Sequence, residues 1–308
     1  MKQLKLKGTP KQGLTGTTLG FFFGFAAVSL YGPTASHFKE ALDLSPALLG
    51  LLVAIPSLSG SLLRIPFGAW VDTTGGKKPF FILMLLSVIG LGGITLLLNT
   101  SYPDGMDGTY GLILFFGFLS GCGIATFSVG IGQTSYWFPQ KKQGMALGTE
   151  AGLRDLSLGP FSLIIPVYLE HYGFISAYFA WFLFLLIGTV IYGIIGYNAY
   201  YFQYRKAGYS TEESKNYSQE KGQEIFPSGG VKDSLKNSAK IKNTWALVVL
   251  YFTTFGGFIA LTAWFPTYWS EFQAFSPVKA GAFTAIFSLL ASGIRVPGGS
   301  LADKMGGE

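Results

Sequence analysis

Charged side chains are scarce in this 308-residue sequence, at 12% of residues beside 49% apolar ones. Ordinary soluble chains carry about 25% charged residues. Half that share cannot cover a globule of this size with polar surface, which excludes a soluble protein and points to a chain embedded in a membrane. Cysteine is nearly absent too, with one residue, so neither a disulfide framework nor a Cys-based zinc or iron-sulfur site can be built. Two histidines remove most remaining metal chemistry, and no metal or cofactor is expected. The strings Gly-x-Ser-x-Gly and His-Glu-x-x-His are missing, so an intramembrane enzyme has no recognisable site, and His37 and His171 sit at outer span ends. The net charge of +6 does not indicate nucleic acid, because the basic residues are spread loop by loop and not gathered on one face.

What the sequence has is long apolar runs. A membrane helix needs about 20 mostly apolar residues, and eight stretches qualify, near 15–38, 45–71, 79–99, 109–138, 143–170, 174–203, 243–270 and 277–301. A polar segment, 204–242, separates the sixth from the seventh and reads as an aqueous linker with one short helix. Nothing behind the first span looks like a signal-peptide cleavage site, so it is expected to be retained. Lys2, Lys5, Lys7 and Lys11, then Lys77 and Lys78, then Lys141 and Lys142, and eight basic residues of the linker all fall on one side. Cytoplasmic loops collect Lys and Arg. A multi-pass protein of the cell membrane with a cytoplasmic N-terminus is therefore expected.

The chain repeats itself. Span two ends "SGSLLRIPFGAWVDTTGGKK" and span eight ends "ASGIRVPGGSLADKMGG". Both contain Arg-(Ile/Val)-Pro-x-Gly-x-x-x-Asp, so Arg64 precedes Asp72 as Arg295 precedes Asp303. Gly68, Asp72, Gly75, Lys77 and Lys78, repeated in part at Gly299 and Asp303, resemble the loop motif of the major facilitator superfamily. That resemblance implies an all-α, polytopic fold of six plus six helices around a central linker, with the loop motif acting in conformational change. The expected organisation is a six-helix bundle over 1–203, a cytoplasmic linker over 204–242, and the first two helices of a second bundle over 243–308. On that layout the chain would stop after its eighth membrane helix and would be a fragment, inactive by itself.

Five charged residues fall at membrane depth, away from span ends: Arg64, Glu150, Arg154, Asp155 and Arg295. Each costs roughly 2.5–3.5 kcal/mol at the helix centre and is a functional hypothesis by default. Arg64 and Arg295 lie eight residues from their loop Asp, about 12 Å along a helix, which is close to the midplane. Two guanidinium groups facing one cavity repel unless an anion sits between them. Their planar fork of donors suits a small planar or trigonal oxyanion. The competing reading is that one or both pair with an acid from another helix or snorkel to the inner face. Glu150 and Arg154, four apart, can pair on one helix face. Asp155 points elsewhere, and three roles stay open for it: counter-ion, proton carrier or structural partner. Phe127 and Tyr251 reach the same layer by depth. Gly117, Gly121, Gly123, Gly130 and Gly132 would let span four lie backbone to backbone against a neighbour, for tight packing or for sliding.

"LYFTTFGGFIALTAWFP" (Leu250 to Pro266), "GCGIATFSVGIGQTSYWFP" (Gly121 to Pro139) and the paired "LLRIPFG" and "SGIRVPGG" resemble the nitrate/nitrite porter family of that superfamily. The resemblance implies a substrate held between Arg64 and Arg295, with Phe127 and Tyr251 as the aromatic partners. It implies a secondary active transporter of nitrate and nitrite by alternating access, a monomer in the lipid bilayer, working by nitrate/nitrite exchange or by symport with protons. The alternative is a transporter of another small anion or an organic solute. The chain departs from the family at Gly152-Leu153-Arg154-Asp155, where Gly-Leu-Gly-Asn is usual. An Asn that can donate to an anion is here an Asp that only accepts unless protonated, which opens the proton-coupled variant.

Overall fold

The structure, a computed structural model, describes residues 4–155, 158–227 and 231–305, and among these it is helical throughout, without a strand. α1 (Pro10–Ala26) runs on through a 3-10 turn to Leu30 and is followed by the short α2 (Ala35–Leu42). α3 (Pro46–Thr74) and α4 (Lys77–Ser101) are single long helices. α5 (Tyr110–Ser120) and α6 (Cys122–Ser135) form one span interrupted at Gly121. α7 (Gln143–Asp155), α8 (Leu158–Tyr172) and α9 (Phe174–Ile195) follow, then α10 (Tyr200–Lys206), α11 (Thr211–Gln219) and α12 (Val231–Lys240). α13 (Lys242–Tyr251) and α14 (Gly257–Thr267) are joined by a π-turn, and α15 (Pro277–Gly293) and α16 (Arg295–Met305) close the described chain.

Seven helical stretches among the described residues are long and apolar enough to cross a membrane: Pro10–Leu30, Pro46–Thr74, Lys77–Ser101, Tyr110–Ser135, Phe174–Ile195, Lys242–Thr262 and Val278–Met305. The remaining expected span, 143–170, falls on α7 and α8, and residues 156–157 between them lie outside the described residues. Leu62, Leu96, Ile194 and Leu247 are all more than half exposed on these helices. Water would penalise such surfaces, whereas the hydrocarbon core of a bilayer accepts them. The chain is thus an all-α, polytopic membrane protein.

Four expected boundaries are corrected. The first span begins at Pro10 and not at residue 15, and it ends by Leu30, because a run of turns through Gly32 and Pro33 separates it from α2. The sixth stops at Ile195 and not at 203. Asn198 interrupts it by turning its side chain to the loop between α3 and α4, where its Oδ1 accepts from the Lys77 amide (2.8 Å) and its Nδ2 donates to the Thr74 carbonyl (3.1 Å). The linker carries two helices, α11 and α12, and not one. α11 is started by Ser210, whose Oγ accepts from the Glu213 amide while the Glu213 carboxylate accepts from the Ser210 amide. The eighth is broken at Ile294, where Pro297 has no N–H to give to the Gly293 carbonyl.

Inside the bundle several buried polar groups find each other, where no water can serve them. Thr17 and Thr134 share a hydrogen bond (2.8 Å), Tyr31 pairs with Ser120 (2.6 Å), and the Tyr192 hydroxyl donates to Gln133 Oε1 (2.8 Å). Phe80 stacks on Tyr192 with ring centroids 4.1 Å apart. Two of the span-four glycines do what their spacing implied, while Gly117, Gly130 and Gly132 face side chains of their neighbours. A Cβ on Gly123 would stand 2.6 Å from the Gly24 carbonyl oxygen, and one on Gly121 would collide with the Pro56 carbonyl and Ser59 Oγ. Helices α1 and α3 therefore pack on α6 backbone to backbone. Gly121→Ala is expected to destabilise the protein by about 1–3 kcal/mol through overpacking. Gly111→Ala, with nothing within 4 Å, is expected to be neutral, and thermal unfolding in detergent separates the two.

Candidate functional site

Four aromatic rings and two guanidinium groups meet where α3, α6, the α13–α14 connection and α16 converge. The connection is a π-turn over Phe252–Gly256. Its cause is legible in "YFTTFGG": the hydroxyls of Thr253 and Thr254 both donate back to the Leu250 carbonyl (2.9 and 2.8 Å), which loosens the ordinary ladder. π-turns are rare and cluster at functional positions. Tyr251 ends α13, Phe255 lies in the turn and Phe258 in α14. Tyr251 stacks on Phe255 (5.1 Å, 19°), and Phe127 of α6 approaches Tyr251 (6.0 Å) and Phe255 (5.4 Å).

The Arg64 Cζ lies 4.5 Å from the centre of the Phe127 ring and 5.9 Å from that of Phe255. The Arg295 Cζ lies 5.2 Å from Phe255 and 5.9 Å from Phe258. Phe255, only 4% exposed, is thus flanked by both guanidinium groups. Cations at such distances from a ring face are attracted by about 0.5–1 kcal/mol, and by about 2 kcal/mol when desolvated. A cavity of about 350 Å³ opens beside the cluster, lined by Phe127, Tyr251, Arg295, Leu147, Gly148 and Ala151 among others. Arg64 does not line it and lies against the Phe127 ring that does. The structure therefore brings together all four residues singled out from the sequence. It adds Phe255 and Phe258, which stand four and seven residues after Tyr251 and so share its helix face, a signal the sequence already carried.

Glu150 faces another way. It is fully buried, and a Cβ on Gly130 would stand 3.0 Å from its Oε1, with Phe80 and Thr17 also in reach of that point. It packs one turn of α6 away from Phe127, inside the first group of helices. The side chains of Arg154 and Asp155 lie outside the described residues, so the expected Glu150–Arg154 pair does too.

Span five and span eight run along each other, α7 beside α16 and α8 beside α15. A row of glycines makes the approach: Gly144 against Gly299, Gly148 against the Arg295 carbonyl, Gly152 against the Ser292 carbonyl. At the end of the row, Asp303 accepts from the amides of Gly144 and Met145 (2.7 Å each), capping the N-terminus of α7 with a carboxylate. Its counterpart in the repeat behaves differently. Asp72 accepts from the Tyr136 hydroxyl (2.6 Å). Burial, and then the hydrogen bond and charge of Asp72, push the Tyr136 phenol well above its usual range, so it stays a donor.

The rest of the first loop motif is built into the same end. Gly68 lies against Ser128, and Gly75 takes φ +75° beside Asn198. Lys77 Nζ donates to the Gly193 carbonyl (2.9 Å) at the end of α9, where a cation is favoured, and Lys78 lies 5.5 Å from the Trp70 ring.

The Major Facilitator Superfamily profile matches residues 17–308. The chain belongs to this superfamily. Several of its sequence relatives bear the names of nitrate or nitrite transporters. A probable nitrate/nitrite transporter of Mycobacterium tuberculosis (strain ATCC 25618 / H37Rv) is 28% identical over 282 residues, covering 91% of this chain and 64% of the relative. A probable nitrate transporter of Staphylococcus epidermidis (strain ATCC 35984 / DSM 28319 / BCRC 17069 / CCUG 31568 / BM 3577 / RP62A) is 29% identical over 294 residues, covering 94% and 66%. The chain thus spans just under two thirds of the length of these relatives. Among solved structures, a major facilitator proton:xylose symporter superposes with a TM-score of 0.66 over 96% of this chain and 70% of its own, at 13% identity, which shows the shared fold. The relatives bear the names of transporters and not of enzymes, in agreement with the catalytic motifs missing from the sequence.

Within this major facilitator chain the Asp303 cap is open to direct test. Asp303→Ala is expected to cost about 1.5–3 kcal/mol, the range for hydrogen bonds to a charged group, and to speed hydrogen exchange of the Gly144 and Met145 amides. Asp72→Ala should leave those two amides unchanged.

Proposed function

We propose that this chain is part of a secondary active transporter of nitrate and nitrite, and that the anion is held between Arg64 and Arg295 with Phe127 and Tyr251 beside it. The observation that carries the reading is the placement of two guanidinium groups, one from each copy of the repeat, around the single ring of Phe255. A trigonal oxyanion presents two oxygens in one plane, and a guanidinium fork can donate to both. The aromatic rings exclude water from the site, and this strengthens each charge-assisted hydrogen bond. The names of the sequence relatives support the choice of nitrate and nitrite within the oxyanions.

Alternating access follows from the repeat. An anion bound at the joint between the two sets of helices draws both arginines toward it, and span five against span eight is the contact across which the sets would rock. The lysine-rich end, with residues 77–78, 141–142 and the linker, is assigned to the cytoplasm, which puts the N-terminus inside the cell. The protein works as a monomer in the bilayer. Two coupling modes use the same site. Exchange of nitrate for nitrite needs only the two arginines, whereas symport with a proton needs a carboxylate that titrates, for which Asp155 and Glu150 are the candidates.

Arg64→Lys and Arg295→Lys keep the charge and lose the fork. Each is expected to weaken nitrate binding by roughly tenfold to a hundredfold, equivalent to one charged hydrogen bond, read as loss of nitrate-dependent thermal stabilisation and of labelled-nitrate counterflow in liposomes. Near wild-type behaviour in both variants would sink the two-arginine site. Asp155→Asn separates the coupling modes: under symport it leaves binding intact and flattens the pH dependence of uptake, and under exchange the pH profile does not move.

A further inference from the structure

α12 rests against α3 and α13 at the edge of the packed helices, and its residues 235–240 are all exposed. Its composition is one-sided. Between residues 225 and 270 the sequence holds one acidic residue, Asp233, against Lys232, Lys236, Lys240 and Lys242. The three lysines at 232, 236 and 240 recur every fourth residue, so the helix carries them in a single row. Beside that row stand large apolar side chains left uncovered: Leu235 is 45% exposed, Ile241 56% and Trp245 60%.

The helix is also held in place. The chain breaks at Ile241 between α12 and α13, and the Trp245 indole N–H reaches back across the break to donate to the Ala239 carbonyl (2.9 Å). α12 is thereby fixed to the first turn of α13, at the point where the chain enters the seventh membrane span, and it lies beside α3. A helix pinned at that depth has its exposed face at the bilayer surface. Lysine rows flanked by apolar residues and an indole are the chemistry of such surfaces: the amines reach phosphates while their stems and the apolar neighbours sit below them.

We propose that α12 lies on the membrane as an anchor for anionic phospholipid, with Lys236, Lys240 and Lys242 on headgroup phosphates and Leu235, Ile241 and Trp245 beneath them. Each lysine near an anionic leaflet contributes roughly fivefold in partition, and screening by salt weakens the attraction. The anchor ties the linker to the lipid and so fixes the direction from which α13, with Tyr251 and the π-turn at its far end, enters the bundle.

The test uses the reconstituted protein carrying Ser238→Cys, labelled with an environment-sensitive fluorophore; Cys122 is buried and leaves the new thiol as the one that reacts. Vesicles are made of phosphatidylcholine alone or of phosphatidylcholine with phosphatidylglycerol. In the anionic vesicles the label is expected to be quenched severalfold more by lipid-borne nitroxide, and less by acrylamide, than in the neutral ones. High salt, or the combined Lys236→Gln, Lys240→Gln and Lys242→Gln variant, should abolish the difference, while inorganic phosphate should not compete. Leu235→Ser should reduce quenching with the lysines intact. Equal quenching in both vesicle types would overturn the proposal, as would a label shielded from both quenchers, which would mean that protein covers this face. Competition by inorganic phosphate would overturn it as well, since the row would then be a site for a free anion.

Discussion

The glycine row of α7 lying on α16 is the contact on which the rest of the arrangement depends. Gly144, Gly148 and Gly152 let two helix backbones meet at distances that any side chain would prevent. Without that approach the second copy of the repeat would stand farther from the first, and Arg64 could not reach the Phe255 ring that Arg295 approaches from within its own half. Hydrophobic attraction is weak between helices already solvated by lipid, so close packing and satisfied polar groups decide where a helix goes. The carboxylate of Asp303 then fixes the axial register of the pair, because its two acceptor oxygens take two successive amides.

Much of this was legible in the residues. The paired Arg-Pro-Gly-Asp strings located the repeat and both arginines. The glycines of span four announced close packing, and the depth of Phe127 and Tyr251 brought them to the arginine layer. These signals are local in character: a residue type at a fixed interval says which face it lies on and how near a neighbour can come. Phe255 was within reach of the same rule, four residues after Tyr251, but a chain with 28 Phe offers too many candidates until a backbone irregularity singles one out.

What stayed hidden is where the helical hydrogen-bond ladder changes. The π-turn at Phe252–Gly256 and the break at Ile294 depend on which carbonyl a given N–H chooses, and composition does not record that choice. Apolar runs overestimated continuity for the same reason: Asn198 ends the sixth span by bonding to a loop more than a hundred residues away. The linker showed only one short helix because its helices rest on capping and on one indole hydrogen bond across the elbow, and neither raises an apolar signal.

The two loop aspartates occupy matching places in the repeat, yet they differ in how they can be lost. Asp72 holds a side-chain hydroxyl, so a single nucleotide change that turns Tyr136 into Phe deletes its partner. Asp303 holds backbone amides, which every amino acid but proline supplies. Substitution in α7 therefore cannot easily disarm it, except at Gly144, where any added bulk would push the carboxylate away. Of two equivalent latches, one is written into a side chain and is open to evolutionary drift, and the other into the main chain and is nearly immune to it.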